Sequence, residues 1–450
     1  MSNAAPGGRF LTGSTMGHVI RMTVTGSIGV TFLFLVDAAN LFWVSLLGEE
    51  RLISALGFAW TIQFFSVSFG IGMMIAATAT VSRLIGSGNR TEARLQTTVC
   101  AAAAFLLQLI VTIFGLYYRH EILALAGATG ETAALAARYL VISMPSLPVM
   151  ALGMVGSAVL RAEGDAYRAM MITLASGLIS MVIDPLLIFG LGLDGAALAV
   201  VTARVLSAIL SIWFVMGKHD LVGWATAADF RRLSVPFTLV ALPAVLTQLS
   251  TPFGNYILTS VIAGFGDGAV AGWAVVSRLT VLAFGGLFAL SGAIGGIFGQ
   301  NYGAGRFDRV KRVYRDALLF CAVYTLIAWA VLVLTSSFVV DAFQLGVEAT
   351  EVIRAFTLIA AGSYIFTGAL YVANAAFNSL GRALYSTLFN WARDGLLVLP
   401  LATLLSGTFA AAGAIYGQAL SGIIVGIAAT IAGWIYVARL EKRHRVAASG

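Results

Sequence analysis

Apolar side chains along this chain come in long unbroken runs, separated by short breaks of Gly, charged or polar residues. The runs last about twenty residues or more, the length a helix needs to cross a hydrocarbon layer, whereas barrel strands would alternate apolar and polar over about ten residues. With no water in the hydrocarbon to satisfy main-chain amides, helices that bond internally are the structure these runs predict. The breaks place twelve spans near 19–47, 54–81, 95–118, 132–160, 167–191, 195–216, 234–264, 270–298, 313–338, 352–380, 385–406 and 410–437.

Composition agrees with that pattern. Of the 450 residues 59% are hydrophobic and 10% charged, with a mean hydropathy of +0.93; soluble domains carry about a quarter charged residues. An all-α, multi-pass membrane protein follows, with the lipid bilayer as its main partner. The roughly seventeen small and polar residues before the first span contain no cleavage-site pattern after a short apolar core, so the first helix is expected to stay. The first-side loops and ends hold most of the Lys and Arg, among them Arg83, Arg90, Arg161, Arg231, Arg232, Arg306 and Arg309. The opposite side holds only Arg51, Arg119, Arg138 and Arg354. The positive-inside rule then puts both termini in the cytoplasm, with the cell's inner (plasma) membrane as the expected location. The net charge of +7 follows from this bias, and no nucleic-acid partner is expected.

The chain also repeats itself. Gly86 in Ser82–Arg90 matches Gly303 in Gln300–Arg306, 217 residues on, and Ala158–Gly164 matches Ala375–Gly381 at the same spacing. Gly195-Ala196 matches Gly413-Ala414 one residue later. Each unit holds six spans, an even number, so both copies share one orientation and are related by an axis along the membrane normal. The expected division is an N-lobe over 1–217, a cytoplasmic linker over 218–233 and a C-lobe over 234–450 with a basic tail. Lobes related in this way can rock to expose a cavity to one side at a time. A channel is disfavoured, because no filter-like Gly-Tyr-Gly segment is repeated.

Two carboxylates interrupt the first lobe's apolar runs, Asp37 in span 1 and Asp184 in span 5. An ionised Asp at mid-membrane costs at least about 2.5–3.5 kcal/mol, so such groups usually face an internal cavity and handle ions or protons. Both lie roughly 10–15 Å below the outer surface at 1.5 Å per residue, close enough in depth to share one site. Asn40, one turn after Asp37, and Ser180, one turn before Asp184, are placed to hydrogen-bond to either protonation state. The competing reading of Asp184-Pro185 is a helix break. Arg204, Arg278, Arg393 and Asp394 are also deep. Neighbours on a helix diverge by about 100°, so Asp394 is expected to pair across helices, with Arg278 as a candidate. If these groups line the cavity instead, an anionic substrate becomes the alternative. Gln63, Gln248, Asn255, Asn374, Asn378 and Asn390 either line a polar cavity or bridge helices. The four His, at span ends or tails, form no helical metal cluster, and no convergent His, Ser and carboxylate set supports an enzyme. No metal or cofactor is expected, and Cys100 and Cys321, near span starts, are expected as free thiols.

The same landmarks resemble the multidrug and toxic compound extrusion (MATE) transporters. The Gly86-Ser87-Gly88 and Gln300–Val310 loops look like that family's cytoplasmic Gly loops, while Leu160–Asp165 and Asp184–Gly192 through Gly195–Ala199 look like its span 4 to span 6 signature. The resemblance covers about Asp37 to Gly413. It implies twelve helices in two lobes and, with Asp37 and Asp184 placed as in the DinF-like prokaryotic branch, coupling in the N-lobe. The acids that the NorM-like branch adds in spans 7 and 10 are missing from 248–252 and 371–375. Ser180 stands where the family often has Asn, Val200 where it often has Thr, with Thr202 nearby, and the common span 1 Pro is absent while Pro243 is present. The resulting expectation is a monomeric antiporter that exports amphipathic, cationic organic compounds against inward protons, or sodium. A lipid-linked saccharide flippase of the same superfamily is the alternative.

Overall fold

The computed structural model describes residues 8–343 and 346–449, and the side chains after Lys442, including most of the basic tail, lie outside what is described. Among the described residues every regular element is helical. The helices are α1 (Thr15–Ser45), α2 (Glu50–Gly86), α3 (Arg90–Tyr117), α4 (Arg119–Leu125), α5 (Gly130–Ser143), α6 (Leu147–Glu163), α7 (Ala166–Leu191) and α8 (Leu193–Gly217). There follow α9 (Ala227–Ala263), α10 (Asp267–Gly303), α11 (Phe307–Phe343), α12 (Val347–Arg354), α13 (Tyr364–Ser379), α14 (Ala383–Trp391) and α15 (Val398–Ser449).

Among the described residues eleven helical stretches are long and apolar enough to cross a membrane, and the last of them, Ala383–Lys442, bends at Phe409 and Ala410 into two. That makes the twelve crossings read from the apolar runs. Many large side chains point outward from them, including Ile110, Leu186 and Leu334, as lipid-facing surfaces require. The fourth crossing is made of α5 and α6 around a 3₁₀ turn, Met144–Ser146, where Pro145 and Pro148 remove amide donors. The tenth consists of α12 and α13 around a π turn, Ala355–Ile359, and a 3₁₀ turn, Ala360–Ser363, without any proline. Cys100 and Cys321 are free and buried.

Two compact units divide the described fold. One spans Ile28–Val245; the other combines Met1–Ser27 with Leu246–Gly450. The boundaries fall inside α1 and α9, so each of these helices begins in one unit and ends in the other. In the first unit, α8 packs on α6 and α7, and α6 on α2 and α3; in the second, α13 packs on α10, α11 and α15.

The internal repeat reappears in the backbone. Gly88 and Gly305 have φ of 77° and 70°, and Gly164 and Gly381 have 91° and 87°, each pair closing a helix at the same place in its repeat. Gly195 and Gly413 let two helices touch: a Cβ on either would come within 1.9 Å of the Leu187 carbonyl oxygen or 2.2 Å of that of Leu405. These carbonyls lie eight residues upstream of their glycines in both repeats.

Candidate functional site

α1 and α7 pack tightly at Gly177, where a Cβ would sit 2.7 Å from a Phe32 ring carbon and 2.9 Å from a Val36 methyl. Phe32, Val36, Asn40 and Trp43 recur at helical spacing and form the stripe that meets α7, with Trp43 edge-on to Phe189 at 6.2 Å between ring centroids. This stripe brings the Asn40 amide to Asp184, its Nδ2 donating to Oδ2 at 3.4 Å. Asp184 is 2% exposed, and its other oxygen, Oδ1, is buried without a hydrogen-bond partner. Ser180 is buried one turn before it. The helix continues through Pro185 to Leu191, so Asp184 marks no helix end.

Asp37 lies next to this stripe. It is accessible, and it is in electrostatic contact with Asp184 and with Arg204 of α8. The two intramembrane acids therefore belong to one site within the Ile28–Val245 unit. Thr202 is not joined to it by a hydrogen bond; its hydroxyl donates to the Leu198 carbonyl of its own helix at 2.9 Å.

Arg204 is held from three sides. Its NH1 donates to the Ser143 carbonyl at 3.0 Å and the Ser146 hydroxyl at 2.9 Å, and its NH2 donates to Gln63 Oε1. Gln63 in turn donates through Nε2 to the Ser143 hydroxyl at 2.8 Å. The 3₁₀ turn between α5 and α6 is what presents both serines to the guanidinium. Tyr139, 4% exposed on α5, completes the cluster through electrostatic contact with Arg204, Asp37 and Asp184 and a side-chain hydrogen bond to Gln63. Tyr139, Ser143 and Ser146 carry no sequence signal of this role: they are small or amphipathic residues in an ordinary apolar run. Gln63 is thus part of the N-terminal site by way of Arg204.

In the other unit, Asp394 pairs with its chain neighbour Arg393, not with Arg278. Arg393 Nε donates to Oδ1 at 2.7 Å and NH2 to Oδ2 at 2.8 Å, while the Ser250 hydroxyl donates to Oδ2 at 3.1 Å. The expectation that these neighbours must diverge fails because Ala392–Leu397 is a π turn, which widens the helix locally, and because the long Arg side chain folds back. Gly254 allows the contact, since a Cβ there would lie 2.8 Å from that of Asp394. Arg278 is exposed on α10, Asn255 is exposed and Gln248 half-buried on α9. Asn374 and Asn378 are buried on α13; Asn378 Oδ1 accepts from the Ser386 hydroxyl at 3.2 Å, and Asn374 Oδ1 has no partner. Asn390 donates to the Ser386 carbonyl at 2.7 Å, bridging one turn of its own helix. Among the described residues no three His, Cys, Asp or Glu side chains gather to hold a metal ion.

Comparison with known proteins identifies the family and the fold. The pattern of the MatE family matches residues 26–186 and 243–404, one match in each half of the repeat. A FAD transporter of Shewanella oneidensis is 27% identical over 93% of this chain and 94% of its own. The multidrug export protein MepA of Staphylococcus aureus is 22% identical over 90% of each. A crystal structure of MATE in the straight conformation superposes with a TM-score of 0.90 at 22% identity, covering 98% of this chain and all of that one, and shares the two-lobe, twelve-helix fold. With the family pattern spanning most of both repeats, the chain belongs to the MATE family of membrane transporters and is not an enzyme.

Proposed function

We propose that the chain is a secondary active antiporter that exports amphipathic organic compounds, cationic ones among them, against an inward flow of protons by alternating access. It would act as a monomer in the plasma membrane, with both termini cytoplasmic. The observation that carries the coupling reading is Asp184 Oδ1, a buried carboxylate oxygen with no partner beside a second acid, Asp37. A buried acceptor left unmatched costs about 1–3 kcal/mol and a buried charge more, and a proton on that carboxyl removes the charge and turns an acceptor-only oxygen into an O–H that can donate. Protonation would favour one arrangement of the α1–α7 contact, and loss of the proton the other. Multidrug export by the similar MepA supports the substrate class.

Uptake of a fluorescent cation such as ethidium into inverted vesicles under an imposed pH or sodium gradient tests this. The pH gradient should drive uptake, and Asp37→Asn and Asp184→Asn should each abolish it at normal expression. Indifference to both gradients, or wild-type transport by both variants, would overturn the coupling reading. A second reading, export of an organic anion, is favoured by the similar FAD transporter and by the exposed Arg278 on α10. FAD in place of ethidium in the same assay separates the two. The lipid-linked saccharide flippase would be favoured by Arg204, Arg278 and Arg393 all facing one cationic cavity. Arg204 and Arg393 instead bond to groups of their own units, which counts against it.

A further inference from the structure

The acidic site of the Ile28–Val245 unit contains a fixed positive charge that the coupling chemistry described above does not use. Arg204 is anchored by three neutral oxygens, from Ser143, Ser146 and Gln63, and among the described residues no carboxylate lies within ion-pair distance of it. Its charge is therefore not cancelled locally. It interacts electrostatically with Asp37 of α1 and Tyr139 of α5, while Asp184 of α7 interacts with both of those residues. These are the titratable and charged groups facing Arg204 from the packed helices, α2 contributing only the neutral Gln63.

We propose that Arg204 is a tethered cation that sets the ion selectivity of the site, restricting it to one proton per cycle and excluding sodium. Two ionised carboxylates and one guanidinium carry a net charge of −1, so a single proton brings the site to neutrality. A second cation would leave excess positive charge in a poorly hydrated interior, where like charges repel strongly. A sodium ion needs several hard oxygen ligands around it. Here the Ser143 carbonyl, the Ser146 hydroxyl and the Gln63 carbonyl, three neutral oxygens that could otherwise serve a cation, are already taken by the guanidinium. Removing the tethered charge frees both oxygens and negative charge at once. Arg204 thus decides which ion can serve, and the inference rests on the reading of Asp37 and Asp184 as the coupling acids.

The test uses the purified full chain in detergent. Proton uptake is read with a pH dye after an acid jump in weak buffer, and radiolabelled sodium binding is measured at alkaline pH. Each background is compared with the same protein carrying Asp37→Asn and Asp184→Asn. The wild type should take up one proton more than its double variant and bind no sodium. Arg204→Gln should take up two, and its affinity for sodium should rise by at least about tenfold, the effect of losing one nearby charge. Arg204→Lys should behave as wild type. Gln63→Glu cancels the guanidinium without deleting it, so it should also admit sodium, and it supplies the answer should Arg204→Gln fail to fold. A wild type that takes up two protons or binds sodium overturns the proposal, as does unchanged sodium rejection in both Arg204→Gln and Gln63→Glu. If the wild type and its double variant take up equal numbers of protons, the coupling reading itself fails, an outcome distinct from either of these.

Discussion

Replacing Ala410 by glycine should stabilise the protein. Ala410 sits at φ 49°, ψ −137°, between the two halves of the last long helix, and its counterpart in the first repeat is Gly192 at φ 61°, ψ −134°. This conformation is all but reserved for glycine and costs other residues on the order of 1–3 kcal/mol. Glycine removes that strain, but the unfolded chain gains back about 0.4–1 kcal/mol of entropy. The methyl group of Ala410 is exposed, so trimming it sacrifices no packing. The net gain should be about 1 kcal/mol, and Gly192→Ala should lose about 1 kcal/mol net, backbone strain less the same entropy term, because a Cβ there would meet nothing within 4 Å. Thermal unfolding of the detergent-purified variants, followed by tryptophan fluorescence, measures both. An Ala410→Gly protein no more stable than wild type, together with an unaffected Gly192→Ala protein, would refute the assignment of strain to this bend and its equivalence across the repeat.

Asp394→Leu should destabilise by about 3–5 kcal/mol, since it strands the buried Arg393 guanidinium, whereas Arg393→Met combined with Asp394→Leu should recover most of the loss in the same melting assay. Asp165 caps α7 and accepts from the Arg168 amide at 3.1 Å, with Arg168 NH1 and His219 Nε2 also on its carboxylate. Burial alone would raise its pKa, but the His219 bond, the Arg168 amide and guanidinium bonds and the Arg168 charge together hold it below the ordinary aspartate value. A depressed folded pKa means its stabilisation is present above the unfolded value and lost as pH falls through the folded one, so Asp165→Asn should lower stability at neutral pH and weaken its acid dependence. Arg309 donates to the carbonyls of Phe10, Thr12 and Gly13 and fixes the segment before α1 on α11. Arg309→Ala should raise hydrogen exchange at residues 8–14 while leaving the remainder of α11 protected; unchanged exchange would remove Arg309 from that role.

The candidate acids were legible because charge inside a lipid-facing run is conspicuous in one dimension. Depth alone put Asp37 and Asp184 in one candidate site, and spacing put Asn40 one turn from Asp37, but the contact of Asn40 with Asp184 was not legible. Thr202 was drawn in by resemblance, yet its hydroxyl bonds within its own helix, which nothing in the sequence distinguishes. Arg204 was visible as a deep charge, but its partners were not, since Tyr139, Ser143 and Ser146 lie 58 to 65 residues upstream and look like ordinary members of an apolar span. The Arg393–Asp394 pair was misjudged because ideal helix geometry was assumed where the backbone forms a π turn.

By itself the sequence determined the helical class, the twelve crossings and the repeat, because a membrane forces each segment to satisfy its backbone locally and so makes these properties functions of neighbouring residues. Only the tertiary structure decided which polar groups meet. Gly177 admits Phe32 and Val36 and thereby sets Asn40 on Asp184, and the turn at Met144–Ser146 points two serines at Arg204. Such contacts depend on the rotation and close approach of helices far apart in the chain, quantities that no run of residues contains.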